Sequence, residues 1–166
     1  MEEKIYVKNA ESEKEFNLII QYMNNSDVFF GKQIRFGKSA YGLAIYKDDE
    51  MIGFLNLIHE IPSNNNILLL DILLDEKYRG RGYASLAYKN FKNRANANEF
   101  IIAETKNNNE GANNFLSSNG VKIYDFPEMD LVYYLLDKSR LEEFLSSPDY
   151  VQFESWVHRE RMDDEE

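Results

Sequence analysis

The chain has no cysteine, two histidines, three prolines and one tryptophan in 166 residues. Without cysteine there is no disulfide framework, no thiolate metal site and no cysteine nucleophile. His59 and His158 stand far apart in the sequence, which argues against a zinc centre, so no metal is expected. Basic charge is scarce: 19 Lys and Arg face 29 Asp and Glu, for a net charge of −10. A nucleic-acid-binding surface needs the opposite balance, whereas an acidic one suits solubility and cationic partners, amines included. Long apolar runs are missing too. The longest, Ile67–Leu74, is far too short to span a bilayer and is broken by Asp71. The opening "MEEKIYVK" lacks the basic-then-apolar layout of a signal peptide. A cytoplasmic protein with neither membrane nor nucleic-acid partner is the expectation.

What remains is globular composition, 43% hydrophobic and 14% aromatic, in a length that favours one compact domain. Residues 4–10 have strand-like residues, and 11–25 place Phe16, Ile19, Ile20 and Met23 at helical spacing. The segment 26–40, with Phe29, Phe30, Gly31 and Gly37, reads as a short helix or irregular loop. Residues 41–60 form a hairpin about Lys47–Glu50, and Ile67–Leu74 is a further strand. Tyr83, Ala84, Ala87, Tyr88, Phe91 and Ala95 make an apolar helical stripe over 82–95. A buried strand at 99–105 precedes a helix over 110–118, with Asn109 as its N-cap and Asn119–Gly120 as its stop. Strands "VKIYDF" and "DLVYYLL" follow on either side of a break at Phe126–Pro127. Amphipathic helix and an acidic tail end the chain, with Tyr150, Phe153, Trp156 and Val157 on one face that suits packing on the domain, packing on a partner subunit in a homodimer, or lining an acceptor pocket. The order β-α-β-β-β-α-β-α-β-β predicts an α/β domain with a mixed sheet.

The chemistry concentrates at residues 75–86, "DEKYRGRGYASL", where a strand gives way to a helix. Gly80 and Gly82 permit a tight turn and close approach of the backbone to a ligand. A helix beginning there aims free N–H groups and its positive dipole end at one point, a combination that cradles phosphate. Arg79 and Arg81 add local positive charge to an acidic protein. A dinucleotide-binding fingerprint fits poorly, because Ser85 stands where its third glycine belongs and the preceding hairpin does not suit repeated βαβ units.

"YRGRGYA" after a strand resembles the acetyl-CoA signature of the GNAT superfamily of N-acetyltransferases, Arg/Gln-x-x-Gly-x-Gly/Ala, here on Arg79, Gly82 and Ala84. A second stretch of that family resembles "NEGANNFLSSNGV", with Asn109, Ala112, Phe115, Leu116, Gly120 and Val121 at its motif positions. The element order also fits, from about residue 4 to 136. The resemblance implies a mostly antiparallel mixed sheet with flanking helices and two splayed parallel strands, 67–74 and 99–104. It implies a catalytic domain over 1–137, with 138–166 as a helical extension packed on it. It implies acetyl-CoA, or a related acyl-CoA, as cosubstrate: pyrophosphate on the backbone of Arg79, Gly80, Arg81, Gly82, Tyr83 and Ala84, pantetheine along Ile72, Leu73 and Leu74, and a contact from Asn109. The acceptor would be a small-molecule or peptide amine.

Three positions depart from the family pattern: Glu76 for a frequent Pro, Val121 for Phe, and Leu116 for a tyrosine that in many members protonates the departing thiolate. Acyl transfer from a thioester needs a neutral amine, a stabilised oxyanion and a departing thiolate. A backbone N–H near Leu73–Leu74 could serve the oxyanion. Asp71, eight residues before Arg79 where family members often carry an acid, is the leading base, and a carboxylate among leucines is pushed upward in pKa. Glu60 and His59 are the alternatives. In place of the missing tyrosine stand water, Ser117, Tyr83, Tyr124, Tyr133 and Tyr134. A module that binds acyl-CoA without catalysis, acting as sensor or scaffold, is the rival that Leu116 supports.

Overall fold

A computed structural model describes residues 4–24, 39–61, 64–95 and 98–163. The elements run β1 (Ile5–Asn9), α1 (Glu13–Asn24), β2 (Ser39–Lys47), β3 (Glu50–Ile58), β4 (Ile67–Leu74), α2 (Tyr83–Arg94), β5 (Phe100–Lys106), α3 (Glu110–Asn119), β6 (Val121–Phe126), β7 (Leu131–Leu135), α4 (Leu141–Leu145) and α5 (Pro148–Asp163). The expected order holds. The seven strands pair in the order β1-β2-β3-β4-β5-β7-β6, mostly antiparallel with one parallel pair, which is the mixed α/β architecture expected. Most of the segment 26–40, with Phe29, Phe30, Gly31 and Gly37, lies outside the described residues, as does the side chain of Met23. The hairpin's second strand stops at Ile58, so His59 and Glu60 lie beyond it and the alternation of strand faces does not extend to them.

The chain divides into two compact units, Met1–Ile58 with Leu70–Ala97, and His59–Leu69 with Asn98–Glu166. In the first, α1 packs Ile19 and Tyr22 against Ala44, Met51, Phe54 and Leu73. Its start is held by a capping box. Ser12 Oγ accepts the Glu15 N–H, and Glu15 Oε1 accepts the N–H groups of Ser12 and Glu11. The other carboxylate oxygen accepts the Tyr46 hydroxyl at 2.7 Å. Helix α2 is tied to β1, where Val7 donates its N–H to Asn90 Oδ1 at 2.9 Å and accepts a bond from Arg94. Phe91 meets Tyr41 of β2 edge-on.

In the second unit, one face of β5 and β7 presents Ile102, Tyr133 and Leu135 to an aromatic core built with Phe144, Phe153 and Trp156. The helical face expected to pack on the domain does so, through Phe153, Trp156 and Val157. The opposite face carries Ala103, Thr105, Val132 and Tyr134, because the register opposes Ala103 to Tyr134 and Thr105 to Val132. Helix α3 is fastened there, with Tyr134 donating its hydroxyl to Asn113 Oδ1 at 2.8 Å. Gly120 ends α3 in extended conformation, not the left-handed cap that a helix-stop glycine often adopts. Glycine is needed for room, since a Cβ would stand 2.3 Å from the Leu135 carbonyl oxygen. Asn64, 3% exposed, donates to Asp149 Oδ1 at 3.1 Å and Gln152 Oε1 at 2.6 Å and accepts the Asn66 N–H at 2.8 Å. It staples the segment before β4 to the first turns of α5.

Burial alone would raise the Glu15 carboxyl, but hydrogen bonds from Ser12, Tyr46 and Glu11 outweigh it and lower its pKa from 4.5 to about 2. A depressed folded-state pKa stabilises above the unfolded value and is lost as pH falls through the folded one. Between pH 4.5 and about 2 the protein should therefore lose on the order of 3 kcal/mol at this residue. Urea unfolding against pH should show a shallower acid slope in Glu15→Gln, and an unchanged slope would refute the assignment.

Candidate active site

The turn between β4 and α2 is built from two glycines that no other residue replaces without strain. Gly80 has φ +76° and Gly82 φ +78°, both left-handed, and an added Cβ at either would meet nothing within 4 Å. Backbone conformation, not crowding, demands glycine there. Neither Arg79, at φ −74°, nor Arg81 has positive φ. Arg79 is extended, with ψ 155°, so the left-handed residues of the turn are the two glycines. Gly82 is the N-cap of α2 and offers no side chain to its first turn. The first N–H groups of a helix have no intrahelical acceptor, so those that open α2 can meet an anion.

The arginines have different tasks. Arg79 donates Nε–H to the Leu74 carbonyl at 3.0 Å, holding the turn to the end of β4. Arg81 is exposed and has no ion-pair or hydrogen-bond partner among the described residues, which leaves its charge for an anion. Upstream, Tyr78 donates its hydroxyl to Glu50 Oε2 at 2.6 Å and Lys77 lies 3.6 Å from the same carboxylate, anchoring the 3₁₀ turn Glu76–Tyr78 to the β2–β3 turn. Tyr83 is buried and Ala84 half-buried at the start of α2.

Asp71 is half-buried in β4, between buried Leu70 and half-buried Ile72. Leu73 and Leu74 are both buried, so strict alternation is lost after Asp71. Beside them lies a glycine that sequence reading passed over. A Cβ on Gly53 of β3 would stand 2.3 Å from the Leu73 carbonyl oxygen and 3.0 Å from the Leu74 Cα. The turn, Asp71 and the end of β4 all belong to the first unit.

In the second unit, Asn109 is the N-cap of α3, its Oδ1 accepting the Ala112 N–H at 3.1 Å. Its Nδ2 has no partner among the described residues. Glu60 is half-buried just past β3. The His59 Nδ1 is shielded from solvent and has no hydrogen-bond partner among the described residues. A proton on that nitrogen would be a buried unsatisfied donor, costing about 1–3 kcal/mol. Leu116 is 3% exposed, a packing residue.

The hydroxyls considered in place of the missing tyrosine are largely committed. Tyr133 donates to Glu104 Oε2 at 2.5 Å, Tyr134 to Asn113, and Ser117 to the Asn114 carbonyl at 3.3 Å. The Tyr124 hydroxyl lies 2.7 Å from His158 Nε2, and burial, with Glu154 and Glu128, raises its pKa. Elsewhere in the first unit a depression of about 450 Å³, lined by Glu15, Leu18, Tyr22, Glu50 and Asp75 among others, contains none of the expected site residues. Among the described residues no group of three or more His, Asp or Glu could hold a metal ion.

The chain belongs to the acetyltransferase (GNAT) family, whose model matches residues 7–121. Solved structures agree on the fold. A Salmonella typhimurium protein, yncA, described as a candidate acetyltransferase and solved with its cofactor acetyl-CoA, is 8% identical with a TM-score of 0.63, over 80% of this chain and 93% of that one. A GNAT-family acetyltransferase from Bacillus anthracis is 15% identical with a TM-score of 0.62, over 80% and 94%. RimL, a ribosomal-protein alpha-N-acetyltransferase in complex with coenzyme A, is 16% identical with a TM-score of 0.53; the match takes in 61% of this chain and 63% of that one, under two thirds of its length. Comparison with curated proteins gave no match.

Left-handed φ costs an L-residue about 1–2 kcal/mol, so Gly82→Ala should lower stability by about that much. Gly111→Ala, in α3 where an added Cβ would make only an ordinary contact at 4.0 Å to Asn109 Oδ1, should be neutral or stabilising by up to about 1 kcal/mol. Equal destabilisation of both variants in urea would show that φ is not what holds glycine at 82.

Proposed function

We propose that the protein is an N-acetyltransferase that moves an acetyl group from acetyl-CoA to a primary amine by direct attack. The observation that carries this reading is the turn at Arg79–Gly82, two left-handed glycines opening a helix beside Arg81, which has no partner among the described residues, in an otherwise acidic chain. A diphosphate is the kind of ligand such a turn fits. Arg79, Gly80, Arg81, Gly82, Tyr83 and Ala84 would hold it, with Ile72–Leu74 along the pantetheine and the free amide nitrogen of Asn109 as a further contact. Residues 1–137 make up the catalytic domain on this reading and 138–166 an extension. The cytoplasm is the location that fits it.

When bound, acetyl-CoA supplies an acetyl group activated as a thioester. Asp71 takes a proton from the incoming ammonium and presents a neutral amine, with Glu60 as the alternative base. A backbone N–H near Leu73–Leu74 donates to the acetyl carbonyl oxygen, at a place where Gly53 lets β3 come close and fixes the β4 backbone. No tyrosine stands at position 116. A thiol pKa of about 8.5 makes the thiolate a tolerable leaving group near neutral pH, so the missing acid slows the step without removing it.

Leu116, together with the committed hydroxyls of Tyr133 and Tyr134, favours one rival, an acyl-CoA-binding module without turnover. The protein with acetyl-CoA and a panel of amines, amino acids, polyamines and peptides should release free CoA. Binding by calorimetry with no release across the panel would support the rival, and no binding would end both readings. Asp71→Asn should lower turnover about 10²–10⁴-fold with acetyl-CoA affinity nearly intact. A change in affinity alone would make Asp71 structural.

A further inference from the structure

Beside their turn, β2 and β3 fall out of step. Ile45 opposes Gly53 but Tyr46 opposes Met51, which leaves Ile52 as an extra residue in β3. A bulge of this kind bends a strand locally and re-aims the groups around it. Here it meets the end of β4. The Ile52 carbonyl accepts the N–H of Asp75, the first residue past β4, at 2.7 Å. Gly53 lies against the preceding peptide: an added Cβ would stand 2.3 Å from the Leu73 oxygen and 3.0 Å from Leu74 Cα. The Leu74 carbonyl is in turn the acceptor for Arg79 Nε–H at 3.0 Å. That carbonyl and the Asp75 N–H belong to one planar peptide, so holding one sets the direction of the other. Strand β3 therefore governs the carbonyl to which the turn at Arg79–Gly82 is tied. All of these residues belong to the first unit.

We infer that the Ile52–Gly53 bulge aims the turn at Arg79–Gly82, which makes Gly53 a positioning residue for binding of the acyl donor. The inference rests on the acetyl-CoA reading above. Gly53 acts at one remove, through the Leu74–Asp75 peptide and the Arg79 side chain. Coupling of this kind is reciprocal. A ligand that favours this arrangement of the turn also favours the bond between Asp75 and Ile52.

Calorimetric titration of the full chain with CoA separates this from a packing role. Gly53→Ala and Arg79→Lys, which keeps the charge but loses the guanidinium Nε–H, should each bind about tenfold more weakly. The double variant should be no weaker than the weaker single one, because both act through one peptide. Gly120→Ala is the matched control, since a Cβ there also stands 2.3 Å from a strand carbonyl, that of Leu135 in the second unit. It should lose thermal stability as Gly53→Ala does and bind CoA like wild type. Wild-type affinity in Gly53→Ala or Arg79→Lys, additive losses in the double variant, or an equal loss in Gly120→Ala would overturn the proposal. Should either glycine variant fail to fold, amide hydrogen exchange on wild type decides. CoA should slow exchange at Asp75 more than in α1, and an equal or smaller effect at Asp75 overturns the proposal. If wild type itself binds neither CoA nor acetyl-CoA, the acyl-CoA reading falls and takes this inference with it.

Discussion

A backbone that must reverse the sign of φ twice within three residues sets the terms for the first unit. At Gly80 and Gly82 the chain passes from the end of β4 into α2 in left-handed conformation. Around it the neighbours are fixed: Arg79 is spent on the Leu74 carbonyl, the Glu76–Tyr78 turn is pinned to Glu50, and α2 is held to β1 through Asn90 and Arg94. The turn is thus a preorganised group of donors on a rigid support, and an anion meeting it imposes little ordering cost. In a chain of net charge −10 such a feature stands out against the global field, which repels anions elsewhere on the surface.

The fold was legible because local pattern and tertiary arrangement agree. Two apolar strands about the turn Lys47–Glu50 marked the hairpin, the 3.6-residue stripe marked α2, and Asn109 declared the start of α3. The turn at 79–84 was legible for a related reason, since left-handed geometry leaves a composition mark, glycine, that survives in one sequence. Within the protein the glycines answer to φ, since an added Cβ at either position meets no neighbouring atom.

Other features leave no such mark. Gly53 and Gly120 look like ordinary glycines, and their need arises from carbonyl oxygens of Leu73 and Leu135, known only once strands are adjacent. Asn64 opens a run of three asparagines that has no buried signature in sequence, yet it is one of the few buried polar residues among those described. Thr105 reads as a β-former, and its unsatisfied hydroxyl is a property of surroundings, not of spacing.

The staple at Asn64 has a consequence for how the protein is made. Its amide partners, Asp149 and Gln152, lie 85 and 88 residues further along the chain. On a ribosome that adds about 5–20 residues each second, Asn64 leaves the exit tunnel several seconds before α5 exists to receive it. The stretch leading into β4 is therefore synthesised well before α5 and is among the last to reach its final geometry. During that interval its amide is bonded to water, and the aromatic core that α5 completes stands open. A chaperone would meet this nascent chain at the second unit, and a chain stalled before Asp149 would hold a hairpin and a phosphate-type turn without the helix that closes the other half.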